Sequence, residues 1–224
     1  KGYSIVHYSC GHNVTEKILL TTTQDKSLIE KIKDYKSLDE SSLFPFQVTG
    51  VKFTIDNNCR VLIADEMGLG KTMQSIAALR TNPKGLFPAI IVCKSIAKMQ
   101  WCKAMINWIF LDYPTCVPQI IYGTKDKWHK QFPVHILSFD TLNRIYKQGG
   151  IEKEIKERTK TVIIDECHYV KNNTAQRTVA LKALCNGIPH IIALSGTPIK
   201  NNASEFFSIL NILHPERFHN FTQF

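Results

Sequence analysis

The 224-residue sequence has no Cys-x-x-Cys pair, no internal repeat, and no apolar run approaching the ~18 residues that a membrane-spanning helix needs. Without paired cysteines there is no zinc-finger or zinc-ribbon spacing, and an odd total of seven cysteines argues against a disulfide framework. Several of these cysteines sit inside apolar runs, where a thiol behaves as a small hydrophobe, so a reducing compartment is expected. The opening residues, Lys1 to His12, lack the apolar stretch of a secretory signal. The chain opens on Lys1 rather than Met, and a piece of a longer protein is expected. Acidic residues are also in short supply: 19 Asp+Glu stand against 28 Lys+Arg, a formal charge of +9. That surplus favours a polyanionic partner such as nucleic acid. Hydrophobic residues make up 44% and charged residues 21%, which excludes wholesale disorder and suffices for one main domain with a sizeable core.

From Val61 onward short Ile/Val-rich runs alternate with amphipathic stretches. The runs 61–64, 89–92, 119–122, 135–138, 162–164 and 191–194 read as strands buried on both faces. Between them Ser95 can cap a helix running to about Phe110. That helix carries one stripe of Ile96, Met99, Cys102, Ile106 and Ile109, and a second of Trp101, Met105 and Trp108. A further helix can start at Asn173 or Thr174. Another can start at Ser204, with Phe206, Leu210 and Leu213 on one face. Such alternation predicts an α/β fold: a mostly parallel sheet covered by helices on both faces. Residues 1–40 are polar, with a Lys/Asp/Glu-rich stretch from Asp25 to Glu40 and a short helical pattern at Leu28, Ile29 and Ile32. They read as an N-terminal extension to a domain spanning 41–224.

The strongest local signal is Ala64-Asp65-Glu66-Met67-Gly68-Leu69-Gly70-Lys71-Thr72, between a strand and a helical stretch. That is the setting of a phosphate-binding loop. Gly68 and Gly70 let the backbone approach phosphate oxygens, and the helix N-terminus favours negative charge. Lys71 would reach the β- and γ-phosphates, and the Thr72 hydroxyl would ligate Mg²⁺. Asp65 stands where the general loop pattern has glycine. The second half of the site is Val162-Ile163-Ile164-Asp165-Glu166-Cys167-His168. An apolar strand delivers two adjacent carboxylates at its C-terminal end, where ligands bind in open α/β sheets. Asp165 would hold Mg²⁺ through water, and Glu166 would orient the attacking water. Lys71-Thr72 after Gly68-Leu69-Gly70 argues against a dinucleotide fingerprint and suits a triphosphate instead.

Taken in order, these motifs resemble superfamily 2 helicases and translocases, and the Swi/Snf-like DNA translocases most of all. The resemblance runs from about Leu43 to Phe224. It implies a RecA-like P-loop NTPase lobe, with ATP and Mg²⁺ as cofactors. Leu43-Phe44-Pro45-Phe46-Gln47 resembles the family's opening segment, which implies that Gln47 reads the adenine edge with its amide. The loop at 65–72 matches the family's ATP loop residue for residue, so Asp65 is normal within it. Ile91-Val92-Cys93-Lys94-Ser95 resembles a first DNA-contact motif, with Lys94 where the family usually has Pro. Ile136-Leu137-Ser138-Phe139-Asp140 resembles a second. Lys94, Ser95 and Ser138 are the implied phosphate contacts. Asp165-Glu166-Cys167-His168 resembles a DEAH-type box. Leu194-Ser195-Gly196-Thr197-Pro198 resembles the family's coupling turn, which implies that His168 works with Ser195, Gly196 and Thr197 to relay the γ-phosphate state. Trp101 and Trp108 read as core packing. Compact spacing suggests the annealing-helicase branch.

The resemblance implies an ATP-hydrolysing motor on double-stranded DNA whose second RecA-like lobe, absent here, supplies arginine fingers. Since such a finger is worth ~10³–10⁵ in rate, this lobe alone is expected to turn over slowly. An RNA helicase, a restriction-type translocase or a non-catalytic nucleotide-gated module would use the same lobe. An intracellular site is expected: nucleus in a eukaryote, cytoplasm or nucleoid in a bacterium or phage.

Overall fold

The computed structural model describes residues 43–110, 118–170, 172, 174–196 and 206–221. The extension at 1–40, the helix starts at Asn173 and Ser204, and Thr197 all lie outside the described residues. Helix α1 (Pro45–Asp56) leads into β1 (Arg60–Ile63), α2 (Lys71–Thr81), the short α3 (Pro83–Leu86) and β2 (Ala89–Cys93). Then come α4 (Lys98–Met105), β3 (Pro118–Ile121), β4 (Val134–Ser138), α5 (Phe139–Lys147), α6 (Lys153–Arg158), β5 (Thr161–Ile164), α7 (Gln176–Cys185), β6 (His190–Leu194) and α8 (Phe207–Leu213).

The six strands form one sheet in the order β1-β6-β5-β2-β4-β3, and every pairing is parallel. All six predicted strands are present, shifted by about one residue. Side chains alternate across the sheet with a period of two, which sorts the core into two layers. Ile91, Ile136, Ile163 and Ile192 face a cluster shared with Val51, Ile76, Leu79, Trp101 and Met105 of α1, α2 and α4. Ile90, Val92, Leu137, Val162 and Ile164 face the other cluster, shared with Leu142, Leu181, Leu184, Ile209 and Ile212 of α5, α7 and α8. Helices therefore cover both faces, and every strand points its C-terminal end at one edge.

The helix expected to start at a Ser95 cap differs in two ways. Residues 95–97 form a 3₁₀ turn with no side-chain cap, α4 follows at Lys98, and a π turn continues it over 106–110. Of its two apolar stripes the sheet takes the shorter: Trp101 and Met105 are buried, while Ile96 is 90% and Met99 51% exposed. Large rings fill the space over the sheet that Ile and Met at the other stripe would leave open. Helix α1 was not predicted, because Val48, Thr49, Val51, Thr54 and Ile55 are β-prone. Its N-terminus is held by Pro45 in the first turn and by the Phe44 N–H donating to Gln47 Oε1 (2.9 Å).

One side chain ties the C-terminal helix to the first strand. The Arg60 guanidinium donates to the carbonyls of Leu213, Ile188 (2.7 Å), Pro189 (3.2 Å) and Ile212 (3.3 Å). It thereby caps α8 and braces the turn before β6. Arg60→Ala is expected to lower unfolding stability by about 1–2 kcal/mol, because water can reach only some of the carbonyls it leaves. Urea denaturation followed by circular dichroism measures this, and Arg60→Lys should recover less than half, since an ammonium cannot span four divergent acceptors.

His135 sits within β4, 3% exposed, with its ring 5.0 Å from that of Trp128 and Nε2 3.3 Å from the His129 carbonyl. Burial pushes its pKa down to about 4, against the opposing pull of that carbonyl. The unfolded chain, with an ordinary value of 6.5, then binds the proton more readily than the folded one. Stability present above pH 6.5 is therefore expected to fall as pH drops toward 4. His135→Gln should flatten that part of the stability–pH curve, as read from urea midpoints at pH 7 and pH 5.

Candidate nucleotide site at the carboxyl edge of the sheet

The loop after β1 turns through two left-handed glycines, Gly68 (φ 84°) and Gly70 (φ 76°), and delivers Lys71 as the first residue of α2. At Gly70 a second constraint applies, because a Cβ would stand 2.3 Å from Gln47 Nε2. Gln47 lies beneath the loop, 8% exposed, and donates from Nε2 to the Leu69 carbonyl (3.1 Å). Its amide thus braces the loop from α1, with the oxygen engaged by Phe44. Asp65, 3% exposed, accepts from Gln74 Nε2 at 2.6 Å. This explains an acid where the general pattern has glycine: the carboxylate anchors the loop to α2. Gln74 is fully buried, and a Cβ at Gly50 would fall 1.9 Å from its Oε1, so glycine is required there for α1 to approach. Sequence reasoning missed Gln74. Its signal was a long amide on the apolar face of α2.

The Lys71 ammonium folds back to donate to the carbonyls of Asp65 and Glu66, both at 2.8 Å. Burial lowers its pKa, while Asp65, Glu166 and Asp165 pull it back up. That three-fold pull places the lysine within the field of both predicted carboxylates. Topology agrees, since only β6 separates β1 from β5, about 10 Å at ordinary strand spacing.

Asp165 follows β5 directly, its N–H bonded to the Val92 carbonyl (2.8 Å). Trp101 Nε1–H donates to Asp165 Oδ2 at 2.8 Å. Trp101 is core, as expected, at 1% exposure, but its indole also holds the carboxylate, which the sequence reading did not foresee. Burial raises the Asp165 pKa; the Trp101 hydrogen bond opposes this, Glu166 adds to it, and Lys94 counters it. Glu166 takes a left-handed backbone (φ 53°), uncommon for a side-chain-bearing residue. The turn brings its Oε2 to 3.0 Å from His168 Nδ1, and the same nitrogen lies 3.2 Å from Ser195 Oγ. Ser195 is fully buried, and its N–H pairs with Ile63 of β1. At Gly196 a Cβ would sit 2.7 Å from Met67 Cγ and 3.5 Å from Lys71 Nζ. The expected partners His168, Ser195 and Gly196 are thus brought together against the loop.

Among the described residues no group of three or more His, Cys, Asp or Glu could cage a metal. The Asp165 carboxylate and Thr72 hydroxyl are hard oxygen donors of the kind Mg²⁺ takes alongside phosphates and waters. The residues present fit an ion carried in on a nucleotide.

The predicted nucleic-acid contacts divide. Lys94 is half-buried, with Nζ 4.5 Å from the centroid of the Tyr169 ring, and Ser95 is exposed beside it. Ser138 is a correction. It is 3% exposed, and its Oγ caps α5 by accepting from Thr141 N–H (3.1 Å) and donating to Thr141 Oγ1 (3.0 Å). A hydroxyl so committed is not presented to a phosphate. Lys98, 6% exposed with its Nζ 4.2 Å over the Tyr122 ring, was not singled out.

Comparison with known proteins adds an independent line. The profile of the SNF2-related domain matches residues 46–224. The "SWI/SNF-related matrix-associated actin-dependent regulator of chromatin subfamily A-like protein 1" of Bos taurus is 35% identical over 184 residues, 82% of this chain and 19% of that protein. The human "DNA annealing helicase and endonuclease ZRANB3" is 30% identical over 217 residues, 95% of this chain and 20% of that protein. Among solved structures, the Sulfolobus solfataricus SWI2/SNF2 ATPase core in complex with dsDNA superposes with a TM-score of 0.69 at 26% identity, covering 83% of this chain and 38% of that one. The chain spans about a fifth of the length of these two relatives.

Proposed function

Since the chain belongs to the SNF2-related domain family, we propose that it is the ATP-binding lobe of a motor that hydrolyses ATP while moving on duplex DNA. Its parallel sheet with helices on both faces is that of the family's RecA-like ATPase core, and the family implies ATP use. The observation that carries the proposal is the convergence of Lys71, Asp165, Glu166, His168 and Gly196 on one edge of the sheet.

In this reading Lys71 leaves the Asp65 and Glu66 carbonyls for the β- and γ-phosphates, and Gly68 and Gly70 admit the phosphates to the backbone N–H groups. Asp165 and Thr72 would hold Mg²⁺, which would supply positive charge against the phosphates. Glu166 orients and polarises the attacking water. His168 links that carboxylate to Ser195, so Ser195 and Gly196, with Thr197, report the γ-phosphate state to a second lobe. Gln47 reads adenine with the second N–H of its amide. Lys94 and Ser95 meet the DNA backbone without reading sequence. A surplus of nine positive charges and the relative solved on dsDNA favour duplex DNA as the track. The motor would work where the genome lies, in nucleus or nucleoid.

A direct test compares ATPase stimulation of the full-length protein by duplex DNA, single-stranded DNA and RNA. Duplex DNA is expected to stimulate most, and a preference for RNA would overturn the choice of track. The isolated lobe, without arginine fingers, is expected to turn over slowly.

A further inference from the structure

Tyr169 follows the carboxylate turn and is 40% exposed, yet three strand ends meet on it. From β2, Lys94 lays its ammonium 4.5 Å from the ring centroid. From β4, Phe139 stacks on it at 6.0 Å with an interplanar angle of 13°. From β5, the neighbouring His168 ring packs at 5.1 Å, tilted 48°. His168 in turn touches Glu166 Oε2 and Ser195 Oγ. An unbroken chain of contacts therefore runs from a cation on the nucleic-acid rim to the carboxylate assigned to the attacking water.

The lysine at its outer end has two mutually exclusive partners. Over an aromatic face an ammonium gains a modest attraction. A phosphodiester offers a full opposite charge, and at a partly buried site it competes well for the same ammonium. We propose that Tyr169 is a positioning residue that couples DNA occupancy to hydrolysis: Lys94 parks on its ring without DNA, a backbone phosphate draws Lys94 away, and the released ring resets His168 against Glu166. Two alternative partners for one cation make the two-state element that coupling requires. Phe139 stacks on the ring as well, so the ring has few other ways to respond. The proposal rests on the reading of this site as a DNA-stimulated ATPase.

The test uses the full-length protein. ATP turnover is measured with and without saturating duplex DNA, and DNA affinity by fluorescence anisotropy. Only the stimulation ratio is interpreted. Tyr169→Phe keeps the aromatic face and is expected to hold the ratio within about twofold of wild type. Tyr169→Leu is expected to lower it at least about fivefold while duplex affinity changes little. Adding Lys94→Met to Tyr169→Leu should lower the ratio no further at saturating DNA, because both changes cut the same link. A Tyr169→Leu protein stimulated like wild type would overturn the relay, as would a Phe variant that falls as far as Leu, or additive losses. If thermal melting shows Tyr169→Leu unfolded, Lys94→Met alone decides, and an unchanged ratio at saturating DNA sinks the idea. A wild-type protein that duplex DNA does not stimulate would refute the ATPase reading first, and the relay with it.

Discussion

Glu166→Gln in the full-length protein is expected to cut duplex-stimulated ATP turnover by about 10³-fold, within the range for a removed general base. The amide matches the carboxylate in shape, so the left-handed turn at φ 53° and the approach to His168 Nδ1 can persist. What disappears is the negative charge to which the proposal assigns the polarising of water. Nucleotide affinity should stay within about tenfold, because the proposed site rests the phosphates on Lys71 and the 68–70 backbone rather than on Glu166. Lys71→Ala should behave differently and lose binding and turnover together, since its ammonium is the cation of the loop. Single-turnover hydrolysis and equilibrium binding of a fluorescent ATP analogue separate the two patterns. Turnover of Glu166→Gln within about tenfold of wild type would refute its role as the water-orienting group.

Two kinds of information governed what could be read in advance. The strands were legible because a strand buried on both faces reads as a near-continuous apolar run, and 162–164 and 191–194 are such runs. The turn at Gly68 and Gly70 was legible because phosphate-loop chemistry sets glycine and lysine at fixed spacing between a strand and a helix. Even the pairing of His168 with Ser195 followed from motif order, though 27 residues separate them. Less legible was anything decided by which neighbour wins. Helix α4 carries two apolar stripes, and only the packed sheet selects Trp101 and Met105 over Ile96 and Met99. Ser138 looked like a phosphate contact because a hydroxyl at a strand end can be one; the start of α5 claimed it as a cap instead. The Asp65–Gln74 bond and the Trp101–Asp165 bond were hidden for a shared reason. A buried donor's partner is set by tertiary placement, which no periodicity reports.

Trp101 shows what such a hidden bond does to the chemistry, and Trp101→Phe isolates it. Phenylalanine keeps most of the apolar volume against Met105 and the sheet, so the core of α2, α4 and β2 should survive. It removes the indole N–H that reaches Asp165 Oδ2. Burial already raises the Asp165 pKa, and that hydrogen bond is the foremost influence opposing the rise. Without it the carboxyl shifts further up, and the carboxylate loses the indole that holds it. Loss of an outer partner of a metal ligand typically costs about 10–100-fold in metal affinity, and with Asp165 in the proposed role that is the drop expected in the Mg²⁺ dependence of nucleotide binding. The sign with pH follows. A carboxyl with a higher pKa is protonated sooner as pH falls, so the deficit should be larger at pH 6 than at pH 8. Titrating Mg²⁺ against nucleotide binding at both values checks this without reference to turnover. Equal half-saturation in variant and wild type at both pH values would mean that Trp101 is only packing. In that case the coupling between the core and the metal site would have to be carried by the backbone of β5 alone.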